Sequence, residues 1–171
     1  MSEETEPTEP ASINEDKLAD LLREMEANQN LAMGVLAGAA AAIAGAAIWA
    51  AVTVATQYQI GFMAVGVGLL VGFAVRIAGK GVTPTFAYIG AAFALIGCLM
   101  GNFLSVVGFI SIEESLPYFQ VLGMIDYAQL PDIMFSTFQP MDLLFYAIAV
   151  YEGYKFSLLQ LTGEQVMSLQ G

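Results

Sequence analysis

Residues 60–81 read IGFMAVGVGLLVGFAVRIAGKG, and the first sixteen of them, Ile60 to Val75, carry no charge. Sixteen apolar residues followed by Arg76 and Lys80 are about enough to cross a ~30 Å hydrocarbon core at ~1.5 Å per residue, with the arginine stem reaching back to the surface. The stretch is therefore expected to be a transmembrane helix whose basic end marks the cytoplasmic face. Its glycines, with Gly68 and Gly72 foremost, provide a surface on which a neighbouring helix can pack closely.

Composition extends the same reading to the whole chain. Of the 171 residues, 57% are hydrophobic and 12% charged, about half the usual charged share. Several spans accommodate that much apolar surface, whereas one soluble core of this size does not. The formal charge is −11, but nine of the sixteen acids lie within the first 26 residues. An acidic tail argues against a nucleic-acid partner and, over the chain as a whole, against electrostatic attachment to anionic lipid. There is no histidine and one cysteine, Cys98. That removes the Ser-His-Asp triad, His-ligated metal and the commonest general acid/base, so no enzyme chemistry, cofactor or metal is expected.

Working toward the N-terminus, residues 31–56 form a first uncharged span in which Gly34, Gly38, Ala41 and Gly45 line one side. Trp49 and Tyr58 lie toward its far end, where amphipathic rings favour the interface. A tight connection over residues 56–59 makes the first two spans an antiparallel hairpin. Before them, Ser12 and Glu15 have the spacing of a capping box, and Leu18, Leu21, Leu22 and Met25 make an apolar stripe. Residues 12–29 are thus expected as a cytosolic amphipathic helix resting on its own bundle. Residues 1–11 are expected as a disordered acidic tail, with no positive region that would make a signal peptide.

Toward the C-terminus, residues 85–112 form a third span. Gly90, Ala94, Gly97, Gly101, Ser105 and Gly108 recur at steps of 4, 3, 4, 4 and 3. This unbroken small-residue stripe predicts a close helix–helix contact. Asn102 sits beside it at mid-depth and is expected to hydrogen-bond a neighbouring helix. Residues 113–140 contain four acids, no Lys or Arg, and three dividing prolines. They predict one or two short helices at the outer interface or dipping back in. A fourth span is expected over 141–161, opened by Pro140 and Asp142. It carries Glu152 past the membrane midplane, with Lys155 three residues on. An unpaired carboxylate there is costly, so Glu152 is expected to pair with Lys155, Arg76 or both.

Two glycine patterns carry no chemistry. Gly66, Gly68 and Gly72 have neither the spacing nor the preceding strand of a dinucleotide fingerprint, and Gly79-Lys80-Gly81 lacks the remaining residues of a phosphate loop. Lys17, Arg23, Arg76, Lys80 and Lys155 all fall on one side if both termini are cytoplasmic, which sets the expected orientation.

Two stretches, VGVGLLVGFAVRIAGKG (Val65–Gly81) and MDLLFYAIAVYEGYKFS (Met141–Ser157), together resemble a group of small uncharacterised bacterial integral membrane proteins. The likeness covers about residues 31–157. It implies a bacterial inner-membrane setting and a multi-span fold, and it brings no activity or functional residues with it. Gly68, Gly72 and Arg76, with Phe135-Ser136-Thr137-Phe138, also echo pieces of the fluoride channels. The Gly–Arg spacing differs, the helix is the second rather than the first, and the Thr-rich lead-in is missing, so that likeness is set aside.

The sequence therefore predicts an all-α fold: an integral membrane four-helix bundle with a short cytosolic amphipathic helix. The expected role is that of a non-enzymatic multi-pass protein embedded in the bilayer, assembling with itself or with a membrane or cytosolic partner. The alternative is a small transporter or channel using Asn102, Glu152 and Arg76.

Overall fold

A computed structural model describes residues 14–58 and 60–169. The expected tail over 1–11, Ser12 of the expected capping box, and Gln59 of the first connection lie outside the described residues. The described residues are helical throughout and contain no strand. They form α1 (Glu15–Ala27), α2 (Leu31–Thr56), α3 (Phe62–Gly79), α4 (Pro84–Glu113), α5 (Tyr118–Met124), α6 (Leu130–Thr137), α7 (Pro140–Phe156) and α8 (Gly163–Leu169), with a single 3₁₀ turn over Tyr127–Gln129. Three of them, α2, α3 and α4, are long and apolar enough to cross a membrane.

Side chains at the helix starts explain the boundaries. Asn14 caps α1, its Oδ1 accepting from the Lys17 N–H at 3.1 Å, so the cap lies two residues beyond the expected Ser12. Asn30 does the same for α2 through the Met33 N–H at 3.0 Å. Each satisfies a donor that the first helical turn would leave unpaired. Gln139 and Asp142 form a reciprocal capping box on α7, with Pro140 in its first turn. The ends of α2 and α3 turn through left-handed residues, Gln57 (φ 59°) and Lys80 (φ 48°).

Contacts fix the directions of the helices. The Cα of Gly34 on α2 lies against that of Gly79 on α3, while Gly38 meets Val75 and Gly45 meets Val67, so α2 and α3 run antiparallel. Gly97 of α4 meets Ala42 of α2, Gly101 meets Trp49 and Gly108 meets Val54, so α2 and α4 run parallel. On α7, Phe145, Ala149 and Phe156 face in the same order Gly61, which caps α3, and Gly68 and Gly72 within it. Against α4 the order reverses: Tyr146 bonds Cys98, and Gly153 meets Gly90. So α7 seats between α3 and α4, antiparallel to α4.

One end of this core gathers the start of α2, the end of α3, the start of α4 and the end of α7. Backbone bonds tie it together, Asn30 N–H to Gly79 C=O at 2.7 Å and Leu159 N–H to Gly81 C=O at 2.8 Å. α1 and α8 lie at this end and touch through Asn14 N–H and Leu169 C=O, 2.9 Å apart. Met25 of the α1 stripe is buried, Leu18 and Leu21 are half-buried and Leu22 is exposed. All five basic residues of the chain sit at this end.

The other end departs from a simple up-and-down path. After α4, Tyr118 of α5 folds back and donates its hydroxyl to the Leu104 carbonyl at 3.0 Å. The chain then returns to the level of the middle of α4, where Pro131, Phe135 and Phe138 face Ile96, Leu99, Met100 and Phe103 across an apolar groove of about 590 Å³. α7 accordingly starts roughly 14 Å, about nine residues of rise, below the far end of α4. Its 17 residues end at Phe156, short of the expected 161: Ser157 caps the helix, its Oγ donating to the Gly153 carbonyl at 2.6 Å, and the Leu159 N–H leaves the helical pattern for the Gly81 carbonyl. Residues 163–169, beyond the expected last span, form α8.

Candidate functional site

The small residues singled out by the sequence are seams. Gly90, Ala94, Gly97, Gly101, Ser105 and Gly108 are all buried. They do not serve one contact, as the unbroken stripe predicts, but two. Gly90 and Ala94 lie under Gly153 of α7, whereas Gly101 and Gly108 receive α2 and Gly97 meets Ala42 of α2 together with Val67 of α3. The steps average 3.6 residues, one helical turn, so the stripe runs straight along α4 and it is the neighbour facing it that changes along its length. Gly68 and Gly72 open α3 to the backbones of Ala149 and Glu152 on α7. Only close backbone approach packs helices this tightly, and a β-carbon at these positions would overlap the facing chain.

Two polar groupings remain. The first lies in the half of the core away from the basic residues. Tyr146 donates its hydroxyl to the Cys98 carbonyl at 3.3 Å, and the Asn102 side chain reaches the same hydroxyl. Trp49 stands edge-on to the Tyr146 ring, 6.3 Å between centroids at 89°, and Phe138 stands edge-on to it from the other side at 5.7 Å. Thr53 lies one turn beyond Trp49. Trp49 is 1% exposed and Thr53 fully buried, and neither Trp49 Nε1 nor Thr53 Oγ1 has a hydrogen-bond partner among the described residues. Asn102 thus joins α4 to α7. Trp49, expected at the interface, instead fills the space that Gly101 leaves open. The ring's size decides this: beside a glycine on a parallel neighbour, it buries more surface inward than at a membrane boundary.

The second grouping is at the α3–α7 seam near the basic end. Glu152 lies on the same stripe of α7 as Ala149 and Phe156, and its main chain abuts Gly72. The expected ion pair is not formed. Among the described residues the one ion pair is Arg23–Asp20 on α1, at 3.5 Å, and Glu152 Oε2 is buried without a hydrogen-bond partner. Lys155 swings over two aromatic rings, its Nζ 5.6 Å from the Tyr151 centroid and 5.8 Å from that of Phe156. Cation–π contact holds the ammonium there. Arg76 lies a turn beyond Gly72, where α7 is already ending.

Asn102 and Glu152 therefore occupy different seams, α4–α7 and α3–α7. The apolar groove beside α4 is lined by neither, and nor is a smaller one of about 230 Å³ between Gly45, Ile48, Met63, Gly66, Val67 and Leu70. No group of three metal-ligating side chains occurs among the described residues. The sequence reading missed Trp49, Thr53 and Tyr146 as interior polar residues. The usable signal was Thr53 one turn after Trp49, level with Gly101 in a parallel register, and that register is set by tertiary packing.

No family model matches this chain, and no match is found among curated proteins or among solved structures.

Proposed function

We propose that the chain is a four-span integral membrane protein of a bacterial inner membrane, with α2, α3, α4 and α7 as spans and both termini cytoplasmic. The observation that carries this is the gathering of Lys17, Arg23, Arg76, Lys80 and Lys155 at one end of the helical core. A basic side and a side without Lys or Arg are what the positive-inside rule asks of a multi-pass protein. At ~1.5 Å per residue, α2 is about 39 Å long and α4 about 45 Å, enough for the core with some tilt. α7 is about 26 Å, and its shortness agrees with a re-entrant path for residues 113–140.

Within that frame the reading is a non-enzymatic protein that assembles with itself or with another membrane or cytosolic protein. The absence of histidine supports the first half. For the second, the surface at hand is the α2–α3 groove around Gly66, where nothing lies within 4 Å of an added Cβ. The stripe on α4 is already covered from within. A transporter or channel is the weaker reading, because Asn102 and Glu152 face separate seams. Mass determination of the protein extracted in mild detergent tests the assembly. A monomer with no co-purifying protein would remove it.

A further inference from the structure

We infer that the flank of the α3–α7 seam at the basic end binds the phosphate of an anionic phospholipid through Arg76, Lys80 and Lys155. The inference rests on the proposed membrane setting. Phe73 of α3 stacks against Phe156 of α7, ring centroids 5.2 Å apart, which fixes this flank. Arg76 follows Phe73 by three residues, so both share one side of α3, and Lys80 is the left-handed residue that ends the helix one turn further on. Lys155 immediately precedes Phe156, and its ammonium lies over the Phe156 and Tyr151 rings on the same flank.

None of the three cations has an ion-pair partner among the described residues. The acid that α7 carries beside them is Glu152, whose Oε2 is buried without a hydrogen-bond partner among the described residues. The acids of α1 lie at the same end, but the pair they form is Asp20 with Arg23 of α1 itself. Lys80 is held in a left-handed turn with its side chain exposed. Beside the cations, Ile77 is 73% exposed, Tyr151 60% and Phe73 42%. An apolar wall running away from a cluster of cations suits a ligand with a phosphate at one end and hydrocarbon at the other. Basic pockets between spans on the inner leaflet are the setting in which anionic headgroups are held. The chain-wide acidity points the other way because it averages in nine acids of the first 26 residues, five of which lie on α1, a separate helix.

The test uses the full-length protein in mild detergent with an equal mixture of phosphatidylglycerol and phosphatidylcholine, and native mass spectrometry counts the retained lipid. Wild type should keep phosphatidylglycerol in preference. Arg76→Gln and Lys155→Gln should each lower its retention about fivefold, as expected for one cation near a headgroup. Arg76→Lys should keep most of it, and Lys17→Gln on α1 should change nothing. Lys155 is exposed, so its variant decides the matter even if Arg76→Gln fails to fold. Equal retention of the two lipids overturns the inference, as does an equal loss with Lys17→Gln and Lys155→Gln. Displacement of the lipid by inorganic phosphate would mark a free-anion site and overturn it likewise. The membrane setting is checked separately: extraction of the protein from membranes by alkaline carbonate refutes that setting, whereas membrane retention without lipid preference refutes this inference alone.

Discussion

Gly90 and Gly153 face each other so closely that each occupies the other's missing side-chain position. A Cβ built on Gly153 falls 2.6 Å from the Gly90 carbonyl oxygen, and one built on Gly90 overlaps the Gly153 carbonyl and the Ser157 hydroxyl. This contact lets α7, the shortest of the four packed helices, lie deep against α4. Gly153→Ala should therefore destabilise the protein by about 1–3 kcal/mol, the usual cost of overpacking. Gly66→Ala meets nothing within 4 Å and should be neutral or stabilising by up to ~1 kcal/mol through helix propensity. Reversible denaturation in mixed micelles measures both. Equal effects would mean that α4 and α7 are not in backbone contact.

Gly97→Leu and Gly101→Leu should disrupt the fold, because the new side chain would enter Val67 and Ala42 in one case and the Trp49 ring in the other. Ala92→Leu is the control, since Ala92 is exposed on the same helix. Folded yield and denaturation midpoint should fall steeply for the first two and hardly move for the third.

Trp49 is the single tryptophan and is 1% exposed. Its emission should be blue-shifted and nearly insensitive to acrylamide and to lipids brominated in the acyl chain. Strong quenching by brominated chains would place the ring at the lipid boundary instead of against Tyr146.

Glu152→Gln should leave stability unchanged within about 0.5 kcal/mol, because no ion pair is there to be broken. A loss well above ~1 kcal/mol would reveal a cation partner for the carboxylate. Lys155→Met should likewise cost little, beyond the cation–π contact of about 0.5–1 kcal/mol.

Orientation is open to a direct check. Cysteines at Tyr58 and Ser115, both exposed at the end without basic residues, should react with an impermeant thiol reagent added to intact cells. One at the exposed Thr162 should react only after lysis. The opposite pattern would invert the proposed topology.

What could be read from the sequence followed from local rules. Uncharged runs, caps and prolines locate α2, α3 and α4 to within a few residues, and the glycine spacing on α4 marks a surface that is indeed buried. What could not be read depends on register between helices. Trp49 resembles an interfacial ring until Gly101 is known to lie beside it, and the stripe looks like one contact until α7 is found over its start and α2 over the rest. Glu152 and Lys155, three apart, look like a pair in one dimension. In the folded chain the lysine has aromatic rings within reach, and the glutamate Oε2 is buried with no hydrogen-bond partner among the described residues. The end of α7 was misjudged for a similar reason: Ser157 bonds back to its own helix, and Leu159 is drawn off to Gly81.

Cys98 sits at the centre of the core, fully buried, its Sγ 3.9 Å from the Ala64 carbonyl of α3. The unaltered chain thus carries one thiol whose access to solvent requires α3 and α4 to separate. Its rate of alkylation is a clock for that opening, and it reads the breathing of the native helices without any label being introduced.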